Sequence, residues 1–108
     1  MTATTTQPTK PTSSAVSVLQ VLETLSGHAV HGISNSALAT NLGMTNSLVT
    51  RAIATLVEVG WARKDAQTGH FHPTARMAQV FGRVLADFDK AETSLSDLKR
   101  SYCHVKTN

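Results

Sequence analysis

The chain has 108 residues, of which 41% are hydrophobic and 16% charged, with a formal net charge of +3. That length allows one modest core and excludes a two-lobed enzyme, and no apolar run approaches the roughly 18 residues that cross a bilayer. The opening MTATTTQPTKPTSS lacks the apolar centre of a secretory signal, so a cytoplasmic location is expected and no membrane partner.

Residues 1–13 are rich in Thr, Pro and Ser and nearly devoid of large apolar side chains. Burial would not offset the entropy of ordering them, which predicts a disordered tail. From Ala15 onward Val18, Leu19, Leu22 and Leu25 recur at helical spacing, with Ser13 or Ser14 as N-cap and Gly27 as terminator. HAVHGI then forms a connector in which Ile33 makes a minimal strand. Ser34 caps a short second helix that turns Ala37, Leu38 and Leu42 inward and ends at Gly43.

Thr45 is the N-cap of a third helix running to about Val59, where Gly60 stops it. Val49, Ala52, Ile53 and Leu56 share its inward face. Asn46, Ser47, Thr50, Arg51 and Ala54 lie on the other side, and Leu48 sits at the boundary. Next, WARKD and HFHPT flank AQTG as the arms of a hairpin, with Gly69 in the turn. Trp61 and Phe71 are its inward anchors, Arg63, Lys64 and His70 lie on or near an exposed loop, and Pro73 starts a fourth helix.

The last stretch repeats Met77, Phe81, Val84, Phe88, Ala91, Leu95, Leu98 and Tyr102 at alternating spacings of four and three, a heptad pattern. Thr93 and Ser94 followed by Asp97 also resemble a fresh helix start, so one long helix and two collinear pieces both fit. The seam runs past the point where a small domain would be complete. It therefore predicts a homodimer through Phe81, Val84, Phe88, Leu95, Leu98 and Tyr102.

Two helices joined by a glycine turn, followed by a hairpin, describe a winged helix-turn-helix. The expected fold is thus mainly α with a small β-hairpin wing and a C-terminal heptad-patterned helix. Its parts are a tail over 1–13, the winged domain over 14–76, a helical dimerisation segment over 77–103 and a tail over 104–108. A helix N-terminus suits phosphates, Asn and Arg reach base edges, and Thr and Ser hydroxyls serve either. Double-stranded DNA is the partner this face suits.

From Ala15 to Met77 the sequence resembles the DNA-binding domain of IclR-type bacterial transcription regulators, most specifically in ISNSALATNLGMTNSLVTRAIATLVEVGWARKD and TGHFHPTARM. The resemblance implies that the helix starting at Thr45 enters the major groove while the wing meets the backbone or minor groove. Carried over by position, the reader residues are Thr45, Asn46, Ser47, Thr50 and Arg51, with Arg63 and Lys64 in the wing. Family members often carry a basic residue where Asn46 stands and a larger polar one where Thr50 stands, so base preference does not transfer. They also usually continue into a ligand-binding domain, for which the remaining residues leave no room; no small-molecule effector domain is expected here.

Cys103 is the only cysteine, which excludes an internal disulfide and a cysteine-pair zinc site. His70 and His72 alternate to one side of a strand, but three or four convergent ligands are not visible, so no metal and no cofactor are expected. No nucleophile, base and orienting group form a set, so no enzyme is expected either. The leading expectation is a homodimeric, sequence-specific regulator, a repressor by occlusion. The alternatives are a winged-helix protein-interaction module and a DNA-binding adaptor in replication, recombination or a mobile element.

Overall fold

A computed structural model describes the backbone of residues 9–106 and the side chains of 9–103. In chain order it contains α1 (Ser13–Leu25), α2 (Asn35–Leu42), α3 (Asn46–Glu58), β1 (Ala62–Lys64), β2 (Phe71–Pro73) and α4 (Ala75–Lys106). The chain divides between Thr74 and Ala75 into two units. It is mainly helical with a two-stranded antiparallel hairpin and a long C-terminal helix.

The first unit closes around Val21 and Leu25 of α1, Leu38 and Ala39 of α2, and Val49, Ala52, Ile53 and Leu56 of α3, with Ile33 and Ala62 completing the core. Leu25, Leu38, Val21 and Val49 are the largest fully buried side chains, and each such burial is worth about 1.5–3 kcal/mol relative to exposure. The four inward residues expected on α3 are its buried residues. On α2 the inward set also includes Ala39, while Ala37 and Leu42 are partly buried against the core.

On α1 the expected inward face is corrected. Ser17, Val21 and Leu25 are buried, whereas Leu19 is 64% exposed. At 3.6 residues per turn Leu19 lies nearly opposite Val21, and residues four apart share the buried side. Ser17 fits this apolar face because its hydroxyl donates to the Ser13 carbonyl, 3.0 Å away. The N-capping expectation also changes: Ser13 is already helical and Thr12 stands at the N-cap without a side-chain bond, while at the other end Ser26 is the C-cap, directly before Gly27. Residues 1–8 of the expected tail lie outside the described residues.

The hairpin pairs Ala62 with Pro73, Arg63 with His72 and Lys64 with Phe71. Ile33 adds a bridge on the far side of Phe71, its amide donating to the Phe71 carbonyl at 3.0 Å and the Phe71 amide donating back at 2.9 Å. Trp61 and Phe71 pack half-buried against the core. Pro73 ends β2 and does not start the fourth helix. A residue with no N–H is tolerated there because both strands of a two-stranded sheet are edges, and the chain turns through Thr74, whose hydroxyl donates to the Gly60 carbonyl at 2.6 Å.

The second unit is α4, one unbroken helix of 32 residues that passes through Thr93, Ser94 and Asp97 and extends to Lys106. The expected tail over 104–108 is corrected as far as Lys106; residues 107 and 108 lie outside the described residues. Among the described residues no helix is long and apolar enough to cross a membrane.

Candidate nucleic-acid interface

The turn between α2 and α3 sets how α3 is presented. Gly43 adopts φ 63°, the left-handed conformation that glycine takes without steric cost, and closes α2. Ser34 caps α2 by accepting from the Ala37 amide at 3.1 Å, and Thr45 caps α3 by accepting from the Leu48 amide at 3.1 Å. A side chain at such a cap satisfies one of the amides that a helix start leaves unpaired.

The burial of Val49, Ala52, Ile53 and Leu56 turns Thr45, Asn46, Ser47, Thr50 and Arg51 to the exposed side. Two of these expected readers, Asn46 and Thr50, are not independent. Asn35, the first residue of α2, donates through Nδ2 to the Asn46 carbonyl at 3.2 Å and to Asn46 Oδ1 at 3.3 Å. The Thr50 hydroxyl donates to the Asn46 carbonyl at 2.8 Å and faces Asn35 Oδ1 at 3.4 Å. Asn35 is the member of this surface that sequence reasoning missed. Only its place beside the Ser34 cap pointed to a polar role, and no local spacing brings it to a residue eleven positions away.

In the wing, Arg63 and Lys64 are both exposed on β1. As successive strand residues they leave opposite faces of the hairpin, so they do not act as one patch. Lys64 Nζ sits 5.8 Å from the centroid of the Phe71 ring, its cross-strand partner, a cation–π contact. At the tip the Asp65 carboxylate accepts from the Gln67 amide at 2.8 Å and the Thr68 amide at 3.4 Å. The Gln67 amide, above all, holds that carboxyl below its ordinary range.

His70, in the loop just before β2, and His72, within β2, both face Gly32. His70 is half-buried with Nδ1 3.1 Å from the His31 carbonyl; His72 is only 4% exposed with Nδ1 3.1 Å from the Ala29 carbonyl. A carbonyl only accepts, so Nδ1 of each ring carries a proton. These contacts tie the wing to the loop before α2. Among the described residues no group of three or more His, Cys, Asp or Glu is placed to hold a metal ion, and Cys103 is an exposed free thiol.

Within α4 the seam residues Phe81, Val84, Phe88, Leu95, Leu98 and Tyr102 are all 47–71% exposed, and Leu85 joins them at 47%.

A short helix, a glycine turn, a second helix with a polar exposed face and a hairpin make the first unit a winged helix-turn-helix. Residues 14–66 match the IclR helix-turn-helix domain, and this segment is an IclR-type helix-turn-helix, the DNA-binding module of a class of transcriptional regulators. Among solved structures the chain is similar to an IclR family transcriptional regulator from Brucella abortus, at 19% identity and a TM-score of 0.61, over 78% of this chain and 32% of that one. It is also similar to HmgR from Pseudomonas aeruginosa, at 29% identity and a TM-score of 0.64, over 72% of this chain and 33% of that one. The first likeness speaks for the fold alone. The chain thus spans about a third of the length of these structures, and no curated protein matches it.

Proposed function

We propose that this chain is a non-enzymatic, sequence-specific DNA-binding regulator of transcription. It acts in the cytoplasm as a homodimer, and it represses by occupying its site. The observation that carries this reading is the exposed face of α3, where Asn46, Ser47, Thr50 and Arg51 follow the Thr45 cap inside an IclR-type helix-turn-helix. Arginine reads guanine through two parallel bonds, and the short polar residues let the helix backbone approach the groove closely. Arg63 and Lys64 contact phosphates from the wing, which contributes affinity without selecting a sequence.

Dimerisation runs through Phe81, Val84, Phe88, Leu95, Leu98 and Tyr102 of α4, whose exposure is high for large apolar side chains on one seam. Paired α3 helices then address half-sites about 34 Å apart or a multiple of that. Repression by occlusion needs nothing beyond occupancy of the DNA.

The test is a mobility-shift assay on sequences selected from a random DNA pool. Arg51→Ala is expected to abolish specific binding while the circular dichroism of the protein is unchanged. Wild-type binding should fall steeply with rising salt, because releasing condensed counterions into a more concentrated solution gains less entropy. Undiminished specific affinity in the variant would reject the assigned face.

A further inference from the structure

Asn46 can read a base in two ways, and its neighbour on α2 selects between them. A free asparagine pairs bidentately with adenine, accepting from N6 through Oδ1 and donating to N7 through Nδ2. Here Oδ1 is engaged. The Asn46 backbone carbonyl can only accept, so the end of Asn35 lying 3.2 Å from it is the amide nitrogen. That same nitrogen faces the Asn46 side chain at 3.3 Å, which requires the Asn46 oxygen to point inward toward α2. The Thr50 hydroxyl near Asn35 Oδ1 fits the same orientation. What Asn46 has left to offer is its Nδ2 hydrogens.

We infer that Asn35 is a positioning residue that fixes the hydrogen-bond polarity of Asn46, so that this reader presents donors only and meets guanine or thymine rather than adenine. Guanine shows N7 and O6, and thymine O4, as major-groove acceptors. Adenine also shows N7 as an acceptor but sets its N6 amino donor beside it, and cytosine shows only an amino donor, so a donor-only side chain gains one bond at most on adenine and none on cytosine. The inference rests on the reading of α3 as the groove-entering helix.

Selection from a random DNA pool tests it with the full chain as wild type, Asn46→Ala, Asn35→Ala and Asn35→Asp, each checked for fold by circular dichroism. The base read by Asn46 is the one whose preference disappears in Asn46→Ala. Wild type should favour guanine or thymine there over adenine by about tenfold, and Asn35→Ala should release that preference. Asn35→Asp should invert it toward adenine or cytosine, because a carboxylate accepts from Asn46 Nδ2 and turns Oδ1 outward. Adenine at that base in wild type, no base that depends on Asn46, or a preference unmoved by both Asn35 variants would overturn the inference.

Side-chain amide resonances of the free protein provide an arm independent of DNA. The Asn35 amide signals should move in Asn46→Ala, and unmoved signals would overturn the contact itself. Moved signals with a pool that yields no enriched sequence would instead overturn the reading of α3 as a sequence reader, and the base assignment with it.

Discussion

Gly32 shows how closely one residue is specified. Its φ is 71°, and a methyl group there would lie 2.6 Å from His72 Nε2 and 2.9 Å from His70 Cβ. Left-handed backbone costs an alanine roughly 1–2 kcal/mol, and forcing a packed side chain aside costs about 1–3 kcal/mol more. Gly32→Ala should therefore lower the unfolding free energy in urea by about 2–5 kcal/mol. A second variant, Gly32→Ala with His72→Ala, should lose less than the sum of the single losses, because removing the His72 ring removes the two shortest contacts and leaves only His70 Cβ. Strict additivity would mean that the backbone conformation alone sets the cost. Legibility at this scale divides sharply. The caps Ser34 and Thr45 are readable because a cap acts on an amide three positions away. Asn35 on Asn46 and the Gly32 contact with His72 join residues far apart in the chain, and no local rule reaches them.

Among elements, α3 was the most legible, since four buried residues at helical spacing settle its inward face without further knowledge. On α1, too many apolar residues obscured the stripe: Leu19 carries the right chemistry at the wrong angle, and Ser17 the reverse. The second start signal near Thr93 was overridden because a cap contributes only about 1 kcal/mol, and no Gly or Pro between residues 83 and 106 obliges the helix to stop. The wing turn has a pH signature. The Asp65 carboxyl is held below its ordinary value of 3.8, chiefly by the Gln67 amide. A lowered folded-state value means that the stabilisation is present above the unfolded value and is lost as pH falls through the folded one. The Gln67 and Thr68 amide shifts should therefore titrate with a midpoint below 3.8. Asp65→Asn, which keeps an acceptor but no ionisable group, should leave both amides flat across that range. A midpoint at or above the ordinary value would contradict the turn geometry.

At the scale of the whole molecule the question is what covers the apolar side of α4. An isolated helix is marginal in water unless its apolar face is packed, and Phe88, Leu95, Leu98 and Tyr102 are 56–71% exposed in the single chain. The exposed Asp97–Arg100 ion pair, 3.0 Å apart, contributes little by comparison. We expect sedimentation of the wild-type chain at dimer mass and of a Leu95→Asp, Leu98→Asp double variant at monomer mass. Specific DNA affinity should fall in the same variant, because two half-sites held by one dimer act together. An unchanged mass would assign the seam to packing within one chain.

Sequence by itself determined the order of the elements, both helix caps around the turn, the inward residues of α3 and the domain class. All of these depend on contacts within a few residues or on a period, and both are written along the chain. The tertiary structure decided which side of α1 is buried and that His72 is enclosed. It also decided that the Asn46 side chain is held by Asn35 and is not a free amide. Asn35 reaches it only once α2 and α3 have packed, and the direction of a hydrogen bond between distant residues has no trace in their spacing.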